Sequence, residues 1–268
     1  MSRAGRPEDD RPAARPSVPE PPSPARPSGR ELAGGLALRV TRYPLQALFV
    51  LAVPPVMGAD AYGAFAACLA LFALVVEATD VGTAPLFGRV VPSLEPARAA
   101  ELARQILWSR LALAAGPGAL LLGLLWTPRP EDPLLFALVL LAVCVVPFQH
   151  VLFGRLYAEG RIARVMARDP LRSALSLALV IPGYLALGLT GAVAAVAAAQ
   201  VVLVAVGGTW VRPRAADFAP PRTLAGLPAA LRFGVAAALP TTLTTVAFKL
   251  GTPLLARAGR PAAEVAAF

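Results

Sequence analysis

Seven apolar segments, each near or beyond the ~20 residues a helix needs to cross ~30 Å of hydrocarbon, fit this chain to lipid as its solvent. They fall at residues 36–57, 61–78, 105–126, 134–153, 171–189, 191–211 and 231–256. A helix packed in a water-soluble bundle would carry a polar stripe at period 3.6. Residues 191–211 offer only Gln200, Thr209 and Trp210 as interruptions, so no stripe exists. The expected fold class is all-α, a polytopic transmembrane helical bundle. Pro44, Pro117, Pro147, Pro182, Pro240 and Pro253 interrupt most spans, a pattern lipid-embedded helices tolerate where neighbours satisfy the freed carbonyls. Leu187 to Gly191 predicts a tight helical hairpin turn between the fifth and sixth spans. Cys68 and Cys144 sit inside apolar runs as small hydrophobes.

The charges lie between the apolar runs rather than on one face. The 25 Lys+Arg against 16 Asp+Glu give a net charge of +9, and their distribution argues against nucleic acid as a partner. One set of breaks is basic, with Arg89 and Arg98, then Arg155, Arg161, Arg164, Arg168 and Arg172, then Arg212, Arg214 and Arg222. The other set has only Arg129, Arg257 and Arg260. The positive-inside rule then places the amino terminus and the basic loops in the cytoplasm. Residues 1–31, rich in Pro and Arg and poor in large apolar side chains, predict a disordered basic cytoplasmic tail rather than a signal peptide. Trp108 and Trp126 bracket the third span about 27 Å apart, matching two aromatic belts.

Enzymatic chemistry finds no support. Lys249 is the single lysine, with no Gly-rich loop before it, so there is no P-loop. His150 is the single histidine, which removes His-pair zinc sites, and there is no Gly-x-Ser-x-Gly elbow. No cofactor or metal is expected.

A weak internal repeat is visible. Val53 to Phe65 and Thr252 to Phe268 both leave a span through proline, turn at Gly58 or Gly259, and re-enter through small residues to phenylalanine. The spans between the copies suggest one six-helix lobe followed by the first helix of a second. The expected organisation is a tail at 1–31, a first lobe at 32–212, a cytoplasmic linker at 213–229 and the start of a second, truncated lobe at 230–268.

Three short motifs then carry a resemblance. Met57-Gly58-Ala59-Asp60-Ala61-Tyr62-Gly63-Ala64-Phe65 follows the first span. Thr79-Asp80-Val81-Gly82, with Arg89 downstream, ends the second. Leu231-Arg232-Phe233-Gly234 opens the seventh, with Lys249 in its polar second half. In order and spacing they are similar to the polysaccharide (O-antigen and teichoic acid type) flippases of the MOP (multidrug/oligosaccharidyl-lipid/polysaccharide) exporter superfamily, which also holds lipid II flippases and MATE exporters. The likeness covers roughly residues 32–268. Pro54-Pro55 departs from the family's approach to the first turn.

The resemblance implies a MATE-like pair of six-helix lobes around a central cavity, in a bacterial cytoplasmic (inner) membrane. It implies alternating-access transfer of an undecaprenyl-pyrophosphate-linked oligosaccharide for lipopolysaccharide or similar surface polysaccharide. Membrane lipids, a glycan polymerase and other polysaccharide-assembly proteins would be its partners. The alternatives are a MATE-like drug or cation antiporter and a non-transporting membrane fragment.

Ionisable groups inside spans cost at least ~2.5–3.5 kcal/mol each, so each needs a reason. Arg39 and Arg42 share one helix face and either snorkel to headgroups or meet the carrier's pyrophosphate. Glu77 and Asp80 either end the second helix, paired with Arg39, Arg42 or Arg89, or serve as ion-coupling carboxylates. A second helix running on to Val91 would put Asp80 well inside the membrane. Arg89 and Lys249 are further candidate substrate contacts, Lys249 dividing between outward snorkelling and the cavity. Arg110 is expected to anchor at the interface, and His150 to be structural.

Overall fold

The computed structural model describes residues 29–80, 82–126, 132–225 and 227–257. Five of its helices are long and apolar enough to cross a membrane, and among the described residues no strand occurs. They are α1 (Gly29–Met57), α2 (Ala59–Ala78), α3 (Pro96–Leu125), α4 (Pro133–Ala158) and α5 (Ile162–Val211). A further helix, α6 (Leu227–Arg257), follows a strap at 212–225 whose one helical turn is a 3-10 turn at Ala215–Phe218. The protein is therefore a polytopic all-α membrane protein.

Local chemistry sets the ends. Gly58, at φ 76, turns the chain between α1 and α2. Proline supplies the first residue of α3 and of α4, where its missing N–H costs nothing. The Asp132 carboxylate caps α4 by accepting from the N–H groups of Leu134 and Leu135 at 3.1 and 3.2 Å. Inside α3 the backbone widens to a π turn at Ala114–Gly118 around Pro117, where the α-helical ladder lacks a donor.

The 50-residue α5 is two legs. Leu187 (φ −134) and Gly188 (φ 63) leave helical geometry, and the chain doubles back there. A Cβ on Gly183 would lie 2.6 Å from the carbonyl oxygen of Gly191, although eight residues of straight helix would separate them by about 12 Å. The predicted turn is thus present, with its break at 187–188. Each leg, of roughly 25 residues, rises more than ~30 Å. Lipid supplies no hydrophobic drive between helices, so close backbone approach at small residues does the packing.

Both legs find distant partners running the same way. The outgoing leg lies parallel to α1: Gly35 faces Ile162, Ala163 and Met166, Arg42 meets Asp169, and the Tyr184 hydroxyl donates to the Met57 carbonyl at 3.0 Å. The returning leg lies parallel to α4: Gln149 meets Gln200, and Phe153 meets Gly207 and Trp210. Parallel pairing of α1 with the outgoing leg requires an odd number of crossings between them, which α2, α3 and α4 provide. Their common core holds Phe65, Leu71, Val75, Leu122, Val139 and Val193. The outer face of α1, with Leu36, Val40, Leu48 and Leu51, is exposed and suited to lipid.

The second helix stops at Ala78, the end of the apolar segment read at 61–78, so the longer helix to Val91 does not form; residues 83–93 form short α, π and 3-10 turns. The strap after α5 lies bonded across the first turns of α3.

A buried arginine at the break after the second helix

Thr79 and Gly82 end α2. The Thr79 hydroxyl donates back to the carbonyls of Val75 and Val76 at 2.8 and 3.1 Å, completing the last turn. Gly82 then adopts φ 75, a conformation favouring glycine. A Cβ on Gly82 would also collide with the carbonyl of Gly234, because α6 crosses the break at this point. The turn presents Asp80 inward. Its Oδ1 accepts from the Thr83 N–H at 3.0 Å and from the Thr83 hydroxyl at 2.9 Å.

Arg110 reaches this turn from the middle of α3. Its Nη1 donates to Thr83 Oγ1 at 3.0 Å, lies 3.5 Å from Asp80 Oδ1, and contacts His150 Nδ1 from α4. A guanidinium only donates, so Nδ1 is the acceptor and the imidazole proton sits on Nε2. Arg110 is 1% exposed, and its Nε and Nη2 have no hydrogen-bond partner among the described residues. Beside His150, Gln149 donates from Nε2 to the carbonyl and side-chain oxygens of Gln200, both at 2.9 Å. A polar layer thus crosses the apolar bundle, with Glu77 half-buried one turn before Asp80.

The remaining candidates lie elsewhere. Arg42 pairs with Asp169 at 3.2 Å in a neighbouring, part-buried cluster with Arg168, whose guanidinium lies 5.9 Å from the Phe153 ring centre. Arg39 is exposed on α1 and Arg89 on the π turn. Lys249 lies on α6, and its side chain is outside the described residues. The partner of Asp80 is therefore Arg110, not Arg39, Arg42 or Arg89. Arg110 is buried against the break rather than exposed, and its helix begins at Pro96, earlier than the apolar segment at 105–126 indicates.

The strap closes the arginine-rich end of the bundle. The Glu101 carboxylate accepts from the N–H groups of Arg222 and Thr223, and the Trp108 indole donates to the carbonyls of Phe218 and Ala219 at 3.2 and 3.1 Å. Trp108 therefore holds the strap. Asp217 is bound by Arg155 at 2.7 Å and by the Arg214 N–H at 2.9 Å. Together with Val91, Leu94 and Val151 the strap encloses a cavity of about 360 Å³.

Burial pushes the Asp217 carboxyl up, but the bonds from Arg155 and the Arg214 N–H outweigh it and hold it below the usual carboxylate range. A carboxyl lowered by folding stabilises above its unfolded value, and that stability is lost as pH falls through the folded value. Amide-exchange protection in the strap around Asp217 is expected to persist through the ordinary carboxylate range and to fall only as pH drops below it. In Asp217→Asn it is expected to be low already at neutral pH. Protection in that variant equal to wild type would mean that the Arg155 pair does not hold the strap.

No protein-family model, no curated protein and no solved structure matches the chain. Fold and site together define the class, a polytopic all-α membrane protein carrying charged residues buried within its bundle.

Proposed function

We propose that this protein is a transporter of the bacterial cytoplasmic membrane, with its amino terminus in the cytoplasm. In this reading it moves a lipid-linked oligosaccharide of the undecaprenyl-pyrophosphate type between leaflets by alternating access, for surface polysaccharide assembly. The observation that carries the reading is Arg110, a permanently charged group 1% exposed inside the bundle, whose Nε and Nη2 have no hydrogen-bond partner among the described residues. Intramembrane charges of this kind line substrate and ion pathways, because nothing in packing alone repays their desolvation. Arg39, Arg42, Arg89 and Lys249 would contact the anionic carrier, and Glu77 and Asp80 would couple transport to an ion. The three motifs resembling the MOP polysaccharide flippases supply the substrate class.

The test is complementation. The full reading frame is expressed in a strain lacking its own oligosaccharide flippase, with matched glycan genes supplied. Wild type is expected to restore surface polysaccharide, and Arg110→Met at equal abundance to reduce it at least about tenfold, the loss of one charge-assisted contact. No restoration with matched glycan genes sinks the flippase reading. Asp80 and Glu77 favour the second reading, a MATE-like cation antiporter, which would show instead as raised drug resistance.

A further inference from the structure

We propose that the cavity beneath the strap is a binding site for an uncharged amphiphile, a single aliphatic chain with a hydroxyl or amide head. Arg110 does not line this cavity, so the site stands whether or not the transport reading holds.

The cavity follows from small residues on α3. Pro96, Ala99, Ala100 and Ala103 fall at i, i+3, i+4 and i+7, on one face of the helix. No side chain on that face is long enough to fill the space towards α4 and the strap. Val151 and Leu152 of α4 line it too, as do Val91 and Leu94 from the turns before α3. Phe218 of the strap completes the lining, held with its ring centre 5.9 Å from that of Phe148. The resulting space of about 360 Å³ falls within the roughly 300–1,000 Å³ of natural small-molecule sites. Packed interiors keep few voids larger than a water molecule, and a void forfeits contact along every wall. Water fills such a space poorly, because each molecule needs several polar partners.

The charges select the head group. Among the described residues the charged groups of the lining are Arg155, Asp217 and Glu159. Arg155 is paired with Asp217, and Glu159 with Arg161 at 3.3 Å. These four charges cancel, so neither an anion nor a cation gains a net attraction to replace the water it would lose. The Arg155–Asp217 pair keeps hydrogen-bonding capacity of both kinds. Arg155 reaches Asp217 through Nη1 alone, and Asp217 receives that bond and the one from the Arg214 N–H on Oδ2. Arg155 Nη2 and Asp217 Oδ1 are left for a group that both donates and accepts, as a hydroxyl or an amide does.

The volume sets the length. At roughly 30 Å³ for each non-hydrogen atom, the share a water molecule takes in the liquid, the cavity holds about twelve. A chain of about ten carbons with its head meets that limit. A peptide segment does not suit the same walls, because it brings an N–H and a carbonyl with every residue and the apolar lining offers them no partner.

The experiment uses the full chain in nanodiscs of zwitterionic lipid. The probe is 1-decanol carrying a diazirine near the end of its chain. Light converts the diazirine to a carbene that inserts into neighbouring side chains, and labelled peptides are mapped by mass spectrometry. Label is expected on residues 91–103 and 151–159. Label on Leu48 and Leu51, on the outer face of α1, reports probe dissolved in lipid and serves as the reference. Unlabelled 1-decanol is expected to displace the cavity label and leave the reference. Decyl sulfate and decyltrimethylammonium, with the same chain and a fixed charge, are each expected to need at least about tenfold more at equal mole fraction in the bilayer. The double variant Ala99→Leu/Ala103→Leu fills the cavity from α3. It is expected to lose at least about tenfold of the cavity label relative to the reference.

Label on α1 without label on the cavity peptides overturns the inference, since the probe then only dissolves in lipid. Displacement by a charged chain as effective as that by 1-decanol overturns it too, as does cavity label unchanged in the filled variant. If the filled variant does not fold, the displacement series on wild type decides alone.

Discussion

Gly191→Val is expected to prevent the α5 hairpin from closing and to remove most folded protein. The added Cβ would collide with the carbonyl oxygen of Gly183, and a backbone carbonyl cannot rotate away as a flexible side chain can. Overpacking typically costs about 1–3 kcal/mol, and a clash with backbone at the tightest helix contact belongs at the upper end or above. The legs would have to part, breaking the registers of the outgoing leg on α1 and the returning leg on α4 together. Unfolding in detergent micelles, followed by circular dichroism, checks this. Gly123, with nothing within 4 Å of a Cβ added there, is the control. Gly123→Val is expected to change stability by less than about 1 kcal/mol, mostly through helix propensity. Equal behaviour of the two variants would mean that the legs are not in contact.

The second large effect belongs to the Asp80–Arg110 pair. Removing one partner of a buried ion pair typically costs about 3–5 kcal/mol, because the other charge stays behind uncompensated. Asp80 keeps 23% exposure, which brings the expected cost of Asp80→Ala to about 3 kcal/mol. Adding Arg110→Met removes the stranded charge. The double variant is therefore expected to be more stable than the sum of the single losses by about 2 kcal/mol. Additivity within about 0.5 kcal/mol would show that the two groups do not interact.

The helical class, the long apolar spans and the α5 turn were legible because lipid imposes one rule on every backbone donor, and the hydropathy pattern records it directly. Leu187 and Gly188 carried their own turn signal. The break after α2 was largely legible: the apolar segment closes at Ala78 before Thr79, Asp80 and Gly82, although the apolar residues beyond them also permitted a longer helix. The pairing was not legible at all. Asp80 chose Arg110, and Arg42 chose Asp169, over sequence gaps that no local period encodes. The start of α3 was not legible either, because amphipathic first turns, such as 96–104, look like loop when read by hydropathy alone. The strap was hidden for a related reason. Beyond the Arg155–Asp217 pair, its attachment is made by backbone groups meeting Glu101, Gln105 and Trp108, and backbone groups leave no mark in composition.

Because α1 packs in parallel against the outgoing leg of α5, the first helix made waits for one of the last. Arg42 and Asp169 are separated by 127 residues. At a synthesis rate of about 5–20 residues per second, roughly 6–25 s pass before the arginine meets its carboxylate. During that interval Arg42, near the middle of α1, stands without its carboxylate, so its long side chain has to carry the charge towards water and lipid phosphates until Asp169 is made. Arg110 has no such delay from Asp80, which is already made when it emerges.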